Sequence, residues 1–310
     1  MPFTLIAGSA NPRLAAAVSA AAGAPLGRAA IHRFPDGELH VALGDSVRGQ
    51  DVYLLQPTAP PVESHAFELL LLADAARRAG AARITGVIPY LGYARQDRRA
   101  GGREALGARI MADLLGTGLD RVVAVDLHMP ALEGFFSIPI EHLTAVTALA
   151  ERIGASTANG VVVAPDLGAA RLADRYARAL DLPVAMVLKT RLDGAEVVAR
   201  GVTGEVRGRA PLIVDDMIST GATVIAAAEA VIEAGASPEV TVVATHALLV
   251  GDAVPRLERL GLRRLMVTDS VQIPAHRSLP LEVVSIAPLL GEVINRLHRD
   301  RSLADVLVHG

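Results

Sequence analysis

The sequence predicts an α/β protein of two similar doubly wound domains, each a mostly parallel central sheet flanked by helices, with a hairpin or flap near the N-terminus. Three observations predict it. Short aliphatic runs alternate with helical runs along the 310 residues. Several of those runs are apolar at every position, as parallel strands buried on both faces are. The run Val122–Asp126 is echoed by Leu212–Asp216, each aliphatic and ending in acid, the faint internal repeat that two related domains would leave.

In chain order, strands are expected at Thr4–Ala7, Asp51–Gln56, Arg83–Ile88 and Arg121–Val125, then at Gly160–Ala164, Val184–Leu188, Leu212–Val214, Val240–Thr245 and Arg264–Val267. Helices fall between them. From Glu63 to Ala79, the residues Leu69, Leu72, Ala73 and Ala76 share one face, and Gly80 supplies the stop. From Thr223 to Ala234 the same face carries Val224, Ala227, Ala228 and Val231, and Gly235 ends it. Strand followed by helix, repeated, implies a doubly wound sheet. Ala30–Val47 breaks the rhythm: His32-Arg33-Phe34-Pro35-Asp36-Gly37-Glu38 is turn-like and leads into the alternating run Leu39–Leu43, which predicts a hairpin or flap. Without a Ser-, Gly- or Pro-rich linker, the boundary is placed by element order. Residues 1–147 form the first domain and 148–287 the second, and a helical segment from Pro288 to Val308 packs back on the first within 288–310.

Composition narrows the function. Hydrophobic residues make up 51 %, enough for sizeable cores, and a net charge of −3 argues against a nucleic-acid binder working through bulk charge. The absence of cysteine excludes disulfides and thiolate metal sites. The start, Met1 to Ile6 and a turn at Gly8–Pro12, lacks the pattern of a signal peptide. No apolar run nears the roughly 20 residues of a membrane helix, and a cytoplasmic location is expected. Lys189 is the only lysine among 30 basic residues, so arginine is the default cation and that one position is singled out.

Ligands of open parallel sheets bind beyond the carboxyl ends of the strands. There the sequence gathers polar groups: Asp126 and His128, Pro165 and Asp166, Lys189 and Arg191, and Tyr93 with Arg95-Gln96-Asp97-Arg98. The strongest signal is Val214-Asp215-Asp216-Met217-Ile218-Ser219-Thr220-Gly221-Ala222-Thr223. A buried strand ends in two acids, and a loop of small residues runs into a helix. Backbone N–H groups at that helix start and the hydroxyls of Ser219, Thr220 and Thr223 suit a phosphate, and two carboxylates suit the vicinal hydroxyls of a sugar. Ser or Thr before a helix can be a simple cap, but capping does not explain two consecutive acids at a strand end.

This stretch resembles the phosphoribosyl-binding loop shared by phosphoribosyltransferases and ribose-phosphate pyrophosphokinases. Five further motifs resemble the latter family in order: Phe34-x-Asp36-Gly37-Glu38, Ile88 through Asp97, Val125–His128 followed by Gly134–Phe136, Pro165-Asp166-x-Gly168, and Lys189-x-Arg191. The resemblance implies a type I phosphoribosyltransferase-like fold and a Mg²⁺-dependent transfer of diphosphate from ATP to ribose 5-phosphate. It implies that Arg95 and Gln96 hold ATP with Asp97 beside them, and that Phe34, Asp36 and Glu38 reach ATP bound to a neighbouring subunit of a homo-oligomer. His128 would touch Mg²⁺ or the ATP phosphates, and Asp166 would hold a second Mg²⁺ bound to the ribose hydroxyls and the β-phosphate. Asp215 and Asp216 would bind the ribose hydroxyls, and Ser219, Thr220, Gly221, Ala222 and Thr223 the 5-phosphate. Lys189 and Arg191 would act as catalytic cations on a mobile loop that Gly194 makes flexible. No Walker A sequence is present. Ser219, Ala169 and Ala222 depart from the family's common Asp, Gly and Gly. Two other readings remain open at this level: a phosphoribosyltransferase, which leaves the flap and Arg95–Asp97 unexplained, and a non-catalytic regulatory paralogue, which would be expected to lose catalytic groups.

Overall fold

The computed structural model describes residues 3–99, 101–154, 159–193, 196–273 and 278–308, with the side chains of 189–200 outside the description. The chain divides into two compact units: Met1–Thr144 with Ser270–Gln272 and Ser285–Gly310, and Ala145–Asp269 with Ile273–Val284.

The first unit carries strands β1 (Phe3–Ala7), β2 (Leu26–Gly27), β3 (Ala29–Arg33), β4 (Leu39–Leu43), β5 (Asp51–Leu55), β6 (Arg83–Ile88), β7 (Arg121–Val125) and β8 (Ile140–Leu143). Six of them form one parallel sheet in the order β2-β1-β5-β6-β7-β8. Every residue of β5 is buried; the run Val52–Leu55 suits a central parallel strand, and Asp51 at its start is buried with polar and charged partners. Helices α1 (Pro12–Ala22), α2 (Val62–Arg78) and α3 (Gly107–Gly118) connect the strands. Leu69 and Leu72 of α2 are wholly buried, each contributing roughly 1.5–3 kcal/mol of burial. Gly80, at φ 85°, turns the chain out of that helix. The antiparallel pair β3–β4 is the expected hairpin. Its inward residues Ile31 and Val41 pack on the core.

The second unit carries β9 (Gly160–Ala164), β10 (Val184–Asp193), β11 (Glu196–Thr203), β12 (Ala210–Ile218), β13 (Thr241–Ala247), β14 (Arg264–Thr268) and β15 (Leu281–Val284), in the order β11-β10-β9-β12-β13-β14-β15. Only the β10–β11 edge is antiparallel. Helices α4 (Val146–Ile153), α5 (Ala170–Leu180), α6 (Ala222–Glu233) and α7 (Ala253–Leu260) accompany it. Val224, Ala227, Ala228 and Val231 are the buried face of α6.

Two expectations are corrected. Lys189 and Arg191 lie on strand backbone: Lys189 pairs with Ala199 and Arg191 with Val197 across the β10–β11 ribbon, with register shifts after Leu188 and Arg191. The β-branched Thr190, Val197 and Val198 favour this extended pairing. Gly194, the expected hinge, lies outside the described residues. The C-terminal helix is also shorter than expected. Helix α8 (Ala287–His298) ends at Arg299, and Asp300 takes a left-handed φ of 50°. The last residues instead line the free edge of β8, where Leu307 bridges Leu143. In detail, Thr144 N–H donates to Val306 O, and Val308 N–H donates to His142 O.

Helix α8 rests on α1, and Gly291 permits the close crossing, because a Cβ there would stand 2.8 Å from Cβ of Ala21. Its end is tied to the sheet by Asp51, which is 1 % exposed. That carboxylate accepts from Arg83 at 2.6 Å and Tyr53 at 3.0 Å, and lies 3.2 Å from Nδ1 of His298. Burial pushes the Asp51 carboxyl up, but Arg83, His298 and Tyr53 together hold it below the usual carboxylate range.

Candidate active site

The sheet of the second unit reverses its strand order beside β9: the chain leaves β9 for β10 on one side and returns as β12 on the other. Ligands bind at such switch points, outside the carboxyl ends of the strands. The residues there are Asp166, just after β9, and Asp215 and Asp216, near the end of β12. The amide of Asp216 donates to Oδ1 of Asp215 at 2.9 Å. Burial pushes the Asp215 carboxyl well above the usual range, and the charges of Asp216 and Asp166 push it the same way. The structure thus brings three of the expected site acids into one electrostatic group. Such a group favours a ligand that brings hydroxyl donors or a cation.

Asp166 also has a local task. Its Oδ1 accepts from the amides of Gly168 at 2.9 Å and Ala169 at 3.3 Å, which shapes the approach to α5. Immediately after β12 the loop Ser219-Thr220-Gly221 enters α6. Gly221 takes a left-handed φ of 76°, and no side chain caps the helix; the first amides of a helix have no intrahelical partner and favour an anion. Ser219 and Thr223 are half-buried, and Thr220 and Ala222 are exposed.

In the first unit the loop after β6 carries Arg95, Gln96 and Asp97. Thr58 pins it: its amide donates to Tyr90 O at 2.9 Å, and its Oγ1 accepts from the Gly92 amide at 2.7 Å. The Gln96 amide donates to Tyr93 O, and the Ala108 amide donates to Gln96 O. A Cβ on Gly107 would stand 2.4 Å from Oε1 of Gln96 and 2.7 Å from Cδ1 of Tyr93, so these side chains would have to shift to admit one. Arg95 and Gln96 face solvent, and Asp97 pairs with Arg98 at 3.1 Å. His128 lies half-buried on the loop after β7. At the hairpin tip, Phe34 is 45 % exposed, and Asp36 and Glu38 are exposed as well. The tip is shaped by Gly37 at φ 94° and by the Glu38 amide donating to Asp36. Among the described residues, no three His, Asp or Glu side chains converge to hold a metal ion unaided. The side chains of Lys189 and Arg191 lie outside the described ones.

Residues 3–118 match the N-terminal domain of ribose phosphate pyrophosphokinase, and residues 196–308 match the phosphoribosyl synthetase-associated domain. The ribose-phosphate pyrophosphokinase of Maricaulis maris is 42 % identical, with 97 % of this chain and 98 % of that protein aligned. The enzyme of the same name from Bacillus subtilis is 40 % identical over 96 % of this chain and 94 % of its own. The crystal structure of phosphoribosylpyrophosphate synthetase from Mycobacterium smegmatis superposes with a TM-score of 0.88 at 37 % identity, covering 97 % of this chain and 100 % of that one. The chain belongs to the ribose-phosphate pyrophosphokinase family.

Two departures from the family's common residues are accommodated by the backbone of this ribose-phosphate pyrophosphokinase family member. Ala169 has φ −83° and ψ −1°, which needs no glycine, and Ala222 is the first helical residue of α6. The sequence reading missed a buried knot at the corresponding switch point of the first sheet, beside β1 and β5. Glu68, buried in α2, accepts from the Ser9 amide and hydroxyl at 2.6 Å each and from Nε2 of Gln56 at 2.8 Å. Oε1 of Gln56 accepts in turn from the Ala10 amide at 3.0 Å. A Cβ on Gly8 would stand 2.3 Å from that Oε1. The first sheet therefore fills its switch point with its own side chains, while the second leaves acids there. The readable signal was an acid on the apolar face of the Glu63–Ala79 helix. No helix among the described residues is long and apolar enough to cross a membrane.

Proposed function

We propose that this enzyme transfers the β,γ-diphosphate of ATP to the anomeric hydroxyl of ribose 5-phosphate, giving 5-phosphoribosyl 1-diphosphate and AMP. The observation that carries this reading is the Asp215–Asp216 pair set directly before the Ser219–Thr223 loop, in a chain related to ribose-phosphate pyrophosphokinases over nearly its whole length. The loop amides and hydroxyls hold the 5-phosphate. Asp215 and Asp216 accept from the 2- and 3-hydroxyls and orient the ring. The anomeric oxygen attacks the β-phosphorus, the bond from that phosphorus to the α,β-bridging oxygen breaks, AMP leaves with that oxygen, and the proton of the anomeric hydroxyl is released to solvent. Arg95 and Gln96 hold ATP, with Asp97 beside them, and His128 contacts its phosphates. Lys189, a compact point charge, and Arg191, a planar fork, meet the charge that grows on the phosphoryl oxygens.

Mg²⁺ fits as the cofactor: Asp166, in the acid group with Asp215 and Asp216, would hold one ion, and His128 would touch another or the ATP phosphates. This hard ion takes one or two carboxylates, keeps several waters and shares substrate phosphates, so an acid group that falls short of a complete cage suits it. When bound it would neutralise charge on the transferring diphosphate. The exposed Phe34, Asp36 and Glu38 support a homo-oligomer in which the flap serves the ATP of a neighbouring subunit. A cytoplasmic setting accords with nucleotide substrates. The test is to mix the protein with ATP, Mg²⁺ and ribose 5-phosphate and separate the products. AMP and 5-phosphoribosyl 1-diphosphate in equal amounts are expected. ADP would mean transfer of a single phosphoryl group and overturn the reading, and no product at all would favour the regulatory paralogue.

A further inference from the structure

The loop that presents His128 is held by an unusual arrangement on its neighbour strand. Asp126, the residue after β7, has a left-handed φ of 39°, a conformation that an L side chain keeps only when its surroundings over-determine it. Two successive amides supply that determination. The Asp126 amide donates to Leu143 O at 2.9 Å. The Leu127 amide donates to Nε2 of His142 at 2.8 Å. Nδ1 of the same imidazole lies 2.8 Å from Oε1 of Glu133. Because Nε2 accepts, the proton of a neutral ring sits on Nδ1, where a carboxylate receives it. His142 is 4 % exposed. Its backbone is fixed on both sides, paired with Ala124 of β7 and accepting from the Val308 amide at 2.9 Å. A rigid root, a fixed tautomer and a single aimed acceptor are what a group needs to place another group accurately.

We propose that His142 is a positioning residue for catalysis: oriented by Glu133, it fixes the Leu127 amide and thereby the loop on which His128 meets the ATP phosphates. This rests on the reading of His128 given above. Glu133 serves as the orienter, and neither residue touches substrate. The imidazole acts on ATP alone, so its loss raises the KM for ATP and spares that for ribose 5-phosphate.

The experiment compares full-length wild type with His142→Ala, His142→Asn, His142→Gln and His128→Ala. All are first checked for native thermal unfolding, then measured for KM of each substrate, kcat, and amide exchange of the peptide spanning residues 126–129. Gln can place an acceptor where Nε2 stood, whereas Asn reaches only the Nδ1 position. Loss of one buried hydrogen bond corresponds to about tenfold. His142→Ala and His142→Asn are expected to raise the KM for ATP about that much, with ribose 5-phosphate within about twofold and faster exchange of the 126–129 peptide. His142→Gln is expected to restore both readouts toward wild type. A purely structural role would move both KM values together or let Asn do as well as Gln, and either outcome overturns the proposal. If His128→Ala leaves the KM for ATP unchanged, the reading of His128 fails and the proposal falls with it. If His128→Ala raises that KM while the folded His142→Ala does not, only the positioning role fails.

Discussion

Replacing Asp215 by Asn should make the ligand-free protein more stable at neutral pH while removing its grip on ribose 5-phosphate. Burial first, then Asp216 and Asp166, push the Asp215 carboxyl well above its ordinary value. The folded state therefore holds a proton that the unfolded chain, with an ordinary Asp near 3.9, releases. The sign follows: stability falls as pH rises from about 4 toward the folded-state value, and it levels off beyond that value. Within that window one group costs at most about 1.4 kcal/mol per pH unit. Asn keeps an oxygen for the Asp216 amide, now 2.9 Å from Oδ1, and carries no charge to bury. A variant of this kind commonly gains about 0.5–2 kcal/mol, and roughly 2–4 °C of Tm accompanies each kcal/mol in a domain of about 150–250 residues. The assay is thermal unfolding without ligand or metal from pH 4 to 8, beside calorimetric titration with ribose 5-phosphate. The gap between variant and wild type should widen with pH, and sugar-phosphate binding should weaken more than ATP binding. A variant less stable than wild type at pH 8, or one with the same pH dependence, would refute the electrostatic reasoning.

Lys189→Ala should lower kcat by about 10²–10³-fold, the cost of one charge-stabilising donor, with ATP affinity held within about twofold; unchanged turnover would remove Lys189 from the mechanism. Asp51→Ala should cost about 2–3 kcal/mol, because Arg83, 33 % exposed, loses its partner while water screens part of the loss; native Tm in that variant would contradict the anchoring role. The stabilisation from the lowered Asp51 carboxyl is complete above about pH 3.9 and is lost as pH falls through the folded value, so Asp51→Asn should flatten the acid side of the unfolding curve. Dilution to monomers should abolish activity, and Phe34→Ala should weaken ATP use in the assembled protein; a fully active monomer would refute the shared site.

Much of the fold was legible because parallel strands buried on both faces carry near-continuous apolar runs. Arg121–Val125 and Gly160–Ala164 stand where their sequence placed them, and strict alternation located Leu39–Leu43. The short edge strands β8 and β15 were hidden because Glu141 and Glu282 interrupt them. Helix α3 was hidden because Ile110 and Leu114 face outward and blur its apolar stripe. Strand β12 runs past Val214 through Asp215 and Asp216 to Ile218, because polar residues there occupy positions that periodicity reads as a strand's end. The candidate Asp215–Thr223 site was legible because it is contiguous. The Leu127–His142–Glu133 bridge was not: its partners lie 15 and 9 residues apart, and only the pairing of β7 with β8 brings them together.

The central claim is that the anomeric oxygen of ribose 5-phosphate attacks the β-phosphorus of ATP. Ribose 5-phosphate carrying ¹⁸O at the anomeric position tests it directly, with the product examined by mass spectrometry and ³¹P resonance after a brief incubation. The account predicts that the label stays with the product, as the oxygen that bridges C1 and the former β-phosphorus of ATP. Loss of the label from the product would mean that the bond at C1 is broken instead, as in transfer of the phosphoribosyl group, and would contradict it.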